Sequence, residues 1–299
     1  MDHMRQRRAE PQLRCVHVLL LVIMCLYGDS LGQITFAADR MQASLEVEDV
    51  LTLPGERVQL KAFLSGQDIQ DQNVGVGNED VEFFIQNRSI GQAKTGSDGT
   101  ATFEFVPRVR GNLTIKVQVH GSSQVVDQEA VGLLASWEKR RPILIVDLVS
   151  LFPQNAGIPS PSGSLSPGTL GEAILADPNP NALHELEKLG KFYYNLVYLS
   201  RSPEASVKTV RNWLHQHQFP LGIPMAIQPG SKSLITFIEK LQTDGWVNVE
   251  SGIGRSAEFA EVLLERRIQT VIIQETETDE KFPRRANIVN DWTKVRRYL

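Results

Sequence analysis

Between Ser44 and about Leu134 the chain alternates apolar and polar positions in short runs: SLEVEDV, RVQLKAFL, VEFFI, SIGQAK, TATFEFV, LTIKVQV and QVVDQEAVGLL. Side chains of a strand point alternately to its two faces, so each run predicts a half-buried strand. Several such strands with turn residues between them predict an all-β sandwich. In TGSDGTATFEF, Asp98-Gly99 stands between two of the runs, and glycine supplies the positive φ that a tight hairpin needs. After SWEKRRP the period changes. ILIV at Ile143–Val146 is apolar throughout, as a strand covered on both faces must be. A loop rich in Pro, Gly and Ser follows, then a helix around Ala182 to Leu189, the strand NLVYL and the helix SPEASVKTVRNWLHQHQ. For that helix Ser202 is the expected N-cap and Pro203 the first helical residue. Strand-like PMAIQ, the helix SLITFIEKLQTDG, strand-like WVNVE, the helix SAEFAEVLLERR and the strand TVII come next. Ile288, Trp292 and Val295 predict a closing helix.

Five β-α repeats of this kind predict a parallel sheet with right-handed crossovers. Ligands of such sheets bind outside the carboxyl ends of the strands, where this sequence has Asp147, Ser200, Gln228 and the run Ser251 to Ser256. The expected fold is thus two domains: a β-sandwich over residues 39–135 and a three-layer α/β domain over 136–299.

The first 38 residues change the picture of where the protein works. A basic stretch (Arg5, Arg7, Arg8, Arg14) precedes VHVLLLVIMCLY and then small residues, the layout of a secretory signal peptide. The apolar run is short for a membrane span of about 20 residues, although an uncleaved anchor remains an alternative. Both cysteines, Cys15 and Cys25, fall inside this leader, which leaves no thiol or disulfide chemistry to the rest of the chain. With 299 residues, 22% of them charged, 41% apolar and a net charge of −4, the chain has room for two cores and no basic field for nucleic acid. Asn87-Arg-Ser and Asn112-Leu-Thr match the glycosylation sequon. The Gly-x-Gly of GIGRS lacks the third glycine of a dinucleotide fingerprint.

Two resemblances refine this reading. The stretch IGQAKTGSDGTATFEFVPRVRGNLTIKVQV resembles the bacterial Ig-like domains of invasins and related surface proteins. From Pro142 to Ile273 the chain resembles the haloacid dehalogenase (HAD) superfamily, in its lipin-type and actin-patch-type phosphatidate phosphatase branches. YLSRSPEASVKTVRNWLHQHQFPLGIPM carries the most specific part of the likeness: a strand, Ser-x-Ser-Pro, Trp-Leu and Phe-Pro-x-Gly.

The second resemblance implies a site. Asp147 takes the position of the nucleophile, which also ligates magnesium. Ser200 takes that of the hydroxyl that binds the phosphoryl group, and Lys232 that of the charge-screening lysine. Glu258 stands as a metal-binding acid. Arg255 lies where many members carry the first acid of that motif, and it would suit a bound phosphate or carboxylate. One position departs from the family. The acid that protonates the leaving alkoxide belongs two residues after the nucleophile, and Val149 cannot protonate anything.

The leading expectation is therefore an exported phosphatidate-phosphatase-type protein, catalytically impaired, that binds a phosphorylated small molecule or a phospholipid headgroup. Magnesium is the implied cofactor, a membrane surface a further partner, and nucleic acid is not expected. Two alternatives stand beside it: an active magnesium-dependent phosphomonoesterase that uses Asp147, and a non-catalytic surface adhesion or scaffold protein.

Overall fold

A computed structural model describes residues 40–67, 72–153, 177–202, 206–276 and 279–299. The N-terminal segment expected to be a signal peptide, with both cysteines, most of the Pro/Gly/Ser-rich loop after Phe152, and Pro203 lie outside the described residues. The first half is an Ig-like sandwich. One sheet contains β1 (Ala43–Val47), β3 (Val58–Gln67), β4 (Asn73–Gly75) and β7 (Thr100–Phe105). The other has the order β2 (Val50–Thr52), β9 (Gln128–Ser136), β8 (Gly111–Val119), β5 (Asp80–Ile85), β6 (Arg88–Lys94). Alternation does what the sequence predicts: Leu60, Ala62 and Leu64 of β3 face Val81, Phe83, Ile115 and Val117 across a closed apolar core.

The Asp98-Gly99 turn differs from the expected hairpin. β6 pairs with β5 and β7 pairs with β3, so the turn carries the chain from one sheet to the other. Gly99 does take a positive φ, of 80°, and a Cβ there would lie 2.2 Å from the Leu64 carbonyl oxygen. The turn residue was legible, but the partner of each strand depends on which apolar face meets which sheet.

The second half is a doubly wound α/β domain. Among the described residues six parallel strands stand in the order β12 (Ile223–Ala226), β11 (Asn195–Ser200), β10 (Ile143–Asp147), β13 (Val249–Gly254), β14 (Gln269–Ile273), β15 (Asn287–Val289). Counted from β10, this is the order 3-2-1-4-5-6, with the switch point between β10 and β13. Leu144 and Val146 face α1 (Pro180–Phe192) and α2 (Val207–Gln216); Ile143 and Ile145 face α3 (Ser231–Thr243) and α4 (Ala257–Glu265).

Three boundaries depart from expectation. The described part of the second helix begins at Val207 with Ser206 as its N-cap, whose side chain accepts from the Thr209 N–H, so Ser202 does not cap it. Of WVNVE only Val249 and Glu250 are strand: Trp246 is buried against Trp137 and Val247 points to solvent, so the strand runs on to Gly254 and leaves only Gly254 to Ser256 at its tip. The expected closing helix splits into β15 and a 3₁₀ turn, Trp292–Arg297. Ile288 is exposed while Trp292 and Val295 are buried, and the i, i+3 spacing of the last two suits a 3₁₀ turn as well as an α-helix.

The two halves share one apolar cluster. Leu133, Ala135 and Trp137 of the sandwich pack with Leu234, Ile238, Leu241 and Trp246 of the α/β domain. Arg211 of α2 crosses to the Asp49 carboxylate at 2.5 Å and to the Val131 carbonyl oxygen at 2.8 Å. Asn112 is built into the same contact, since its Nδ2 donates to the Leu221 carbonyl oxygen at 2.6 Å and its Oδ1 accepts from Trp137 Nε1 at 2.7 Å. Asn87 is exposed in the β5–β6 turn with φ 63°. Expression in a eukaryotic secretory host will therefore attach a glycan at Asn87 and none at Asn112. Intact mass should lose one glycan in Asn87→Gln and be unchanged, apart from the substitution itself, in Asn112→Gln.

Candidate functional site

Asp147 ends β10 at the switch point, on the sheet face shared with α3 and α4, and it is fully buried. Its carboxylate already has a partner. Arg201, the residue after strand end Ser200, donates to Asp147 Oδ2 from Nη2 at 2.7 Å and from Nε at 3.2 Å. The same Nη2 reaches Ser256 Oγ at 3.0 Å, and Nη1 lies 3.7 Å from Glu258 Oε2. The guanidinium lies over the Phe259 ring, 5.7 Å from its centroid. Burial is the largest single influence on Arg201 and works against its charge, but the charge and hydrogen bonds of Asp147 together with the charge of Glu258 outweigh it, and the pKa is raised. Among the described residues nothing donates a hydrogen bond to Asp147 Oδ1.

The helix beyond is held tightly to the sheet by the Gly-x-Gly. A Cβ on Gly252 would meet Leu263 Cδ2 at 2.1 Å, and one on Gly254 would meet Phe259 Cδ1 at 2.4 Å. These glycines serve the close packing of α4. Ser256 caps that helix, its Oγ accepting from the Phe259 N–H, and Glu280 Oε1 accepts from the Ala257 N–H at 2.8 Å. An acid of the chain itself therefore stands at the helix N-terminus, where an anionic ligand would otherwise be favoured.

The remaining residues of the implied site fall in three places. Arg255, at the tip of β13, is buried and donates from Nη2 to the Phe152 carbonyl oxygen; its Nε has no partner among the described residues. Burial lowers its pKa, against the opposing charges of Glu275 and Asp147. Ser200 is buried at the end of β11, where its Oγ accepts from the Ser202 N–H at 3.4 Å. Asp147 pairs in register with Leu199, so Ser200 points to the other face of the sheet. Lys232 is exposed in the first turn of α3 and lines a cavity of about 1090 Å³ between the two halves, along with Glu56, Lys61 and Met225. Val149 is buried in a 3₁₀ turn, Leu148–Leu151, within the apolar cluster under α1 and α2.

Arg201 is the residue that sequence reasoning missed. Its signal was its position: a cation directly after one strand end, level with an acid at the end of the adjacent strand. Magnesium fits this set poorly. The ion needs several hard oxygen ligands in octahedral geometry, yet Asp147 and Glu258 both face the Arg201 guanidinium, and among the described residues no group of three or more His, Cys, Asp or Glu converges.

The described residues form an Ig-like sandwich packed against a six-stranded parallel sheet, with an internally paired carboxylate at the sheet's switch point. No family model matches the chain, and no curated protein matches it. Among solved structures it is similar to an uncharacterized protein from Listeria monocytogenes serotype 4b (16% identity, TM-score 0.36, 52% of this chain and 94% of that one). It is also similar to the fibronectin(III)-like modules of Clostridium thermocellum CbhA (13%, 0.23, 31% and 96%) and to the D00-D0 domain of intimin (15%, 0.24, 33% and 49%). Likeness at this level says nothing of activity. No helix among the described residues is long and apolar enough to cross a membrane.

Proposed function

We propose that the chain is an exported, non-catalytic surface module: an Ig-like sandwich carried on an α/β domain of HAD, lipin-type ancestry whose reaction centre has become structural. The observation that carries this reading is the buried Asp147–Arg201 pair, 2.7 Å long. A carboxylate nucleophile needs a lone pair free to attack phosphorus and a metal to neutralise the phosphate. Arg201 engages one oxygen of Asp147 through two N–H groups, and its charge opposes a cation at the other. Val149 removes the proton donor as well, being part of the core. Adhesion or scaffolding then falls to surfaces outside the strand tips.

The test is turnover. Purified chain supplied with magnesium and a panel of phosphomonoesters, phosphatidate and aryl phosphates included, should hydrolyse none of them faster than its Asp147→Asn variant does. Turnover that disappears in Asp147→Asn would sink the proposal.

One observation supports a second reading, in which the tip holds a phosphorylated small molecule or phospholipid headgroup without reaction. Among the described residues the buried Arg255 Nε has no hydrogen-bond partner. In that case millimolar phosphate raises the melting temperature, and Arg255→Gln abolishes the rise.

A further inference from the structure

The sheets of this protein have open edges, and most of them are blunted. In the α/β sheet β12 carries Pro224 and β15 has only 3 residues. In the sandwich β2 and β4 also have 3 each. β6 begins with Arg88, ends with Lys94 and shifts register against β5, with Gly91 at φ 151°. β1 lies against β9, and Lys208 of α2 reaches its Glu46. Short strands, proline, bulges and cations are the devices that keep unpaired N–H and C=O groups from templating another strand. β7 has none of them: TATFEF is 6 residues long, without proline, lysine, arginine or a register shift.

Which backbone groups β7 leaves open follows from its pairing with β3. The Leu64 N–H donates to the Gly99 carbonyl oxygen, and directly opposite residues of an antiparallel pair alternate between bonded and non-bonded. Ala101, Phe103 and Phe105 therefore bond to Ala62, Leu60 and Val58, while Thr100, Thr102 and Glu104 turn their N–H and C=O groups away from β3. Both groups of Thr100 are taken. Its N–H donates to Asp98 Oδ1 at 3.0 Å, and its carbonyl oxygen accepts from the Gly96 N–H at 2.9 Å. Among the described residues those of Thr102 and Glu104 have no partner. Both residues are exposed, and Val106 just beyond them is 39% exposed.

These open groups match their own copies. Let an antiparallel β7 of a second chain be related to the first by a two-fold axis through Phe103. Thr102 then stands opposite Glu104 of the other copy, and each such pair exchanges two hydrogen bonds. Every open group is used, and Thr100 stays at the margin, where it needs nothing. The side chains agree with this register. On the core face Phe103 meets its own equivalent and Ala101 meets Phe105, while on the solvent face Thr102 meets Glu104. No like charges stand directly opposite, and Glu104 keeps Arg57 at 3.0 Å. An axis through Thr102 would instead bring Glu104 to the occupied groups of Thr100.

We propose that β7 is a self-pairing edge through which two copies of this chain join their sandwiches into one continuous sheet. The tip of the α/β domain takes no part, so the pairing and the non-catalytic reading can fail separately. One strand pair is a small contact beside the roughly 1,600 Å² of a standard interface, so the dimer should form at about 10–100 µM.

Sedimentation velocity of the full chain from about 1 to 300 µM should show monomer giving way to dimer. Over the same range hydrogen exchange at the Thr102 and Glu104 amides should slow, while that at Thr100, already bonded, should not change. Thr102→Glu sets a carboxylate opposite Glu104 of the other copy, twice per dimer, and should weaken it about threefold. Thr102→Lys sets a cation there and should tighten it about threefold, and added salt should shrink both effects. Lys61, opposite Thr102 on β3, acts equally in monomer and dimer. Thr102→Pro deletes one donor from each copy and should weaken the dimer at least about tenfold; proline is tolerated where an edge N–H faces outward. Thr102 is exposed, so dilute samples of the variants should melt with the parent. The first two variants keep every backbone group, so they decide the register even where the proline variant does not fold. A chain that stays monomeric throughout, its edge left to a strand of another protein, would overturn the proposal. So would a dimer indifferent to all three variants, or one weakened by Thr102→Lys as much as by Thr102→Glu.

Discussion

Arg201→Ala is expected to lower the unfolding free energy by about 3–5 kcal/mol, because it leaves the fully buried Asp147 charge without its partner. Asp147→Ala should cost about as much in reverse, by stranding a buried guanidinium. The double variant Asp147→Leu/Arg201→Met tests the interpretation. Two apolar side chains of similar volume remove both desolvation costs, and the double variant should be as stable as the parent or more stable, by up to about 4 kcal/mol. Chemical denaturation of the four proteins gives the coupling directly. A working active site predicts the opposite for one member: a carboxylate kept strained for catalysis is relieved by mutation, so Asp147→Ala would stabilise. That outcome would restore Asp147 as a functional residue.

Trp137→Ala should cost about 3–5 kcal/mol as well, by a different mechanism. Trp137 is buried where the halves meet, packs edge to face on Trp246 with ring centroids 6.3 Å apart, and donates to Asn112 Oδ1. Truncation opens a cavity the size of an indole in the shared cluster and leaves Asn112 Oδ1 without its donor. Contacts between two domains of one chain ordinarily permit relative motion unless they are large and apolar. The parent should therefore melt in a single calorimetric transition and Trp137→Ala in two. A single transition at the parental temperature would show that the halves are held together elsewhere, for instance by Arg211 and Asp49.

Much of the architecture was legible in the chain. Alternation marked the strands of the sandwich, and the uninterrupted ILIV marked the central strand of the second sheet. Ser256 was readable as a helix start, and Gly99 as a residue of positive φ. These signals are local: each depends on which face of one segment must leave water, or on one residue's backbone freedom. Boundaries failed where a long-range contact decided them. Trp246 leaves the strand pattern to meet Trp137, and Ile288, three to four residues from buried neighbours, sits on an edge strand instead of a helix.

At the candidate site the sequence supplied Asp147 and the vacancy at Val149, because both lie within one short segment. It could not supply the Asp147–Arg201 pair. Those residues are 54 positions apart in the chain and meet only because β10 and β11 are neighbours in the sheet and end at the same level. Nor could it separate Lys232 from Asp147, since the direction in which the first turn of α3 faces depends on the packing of the sandwich beside it. The sequence by itself determined which segments are strands or helices and which acid ends the central strand, since burial periodicity and strand-tip chemistry are written locally. Tertiary structure alone decided that this acid is spent on an arginine, because the energy of a buried charge depends on what other parts of the chain bring to it.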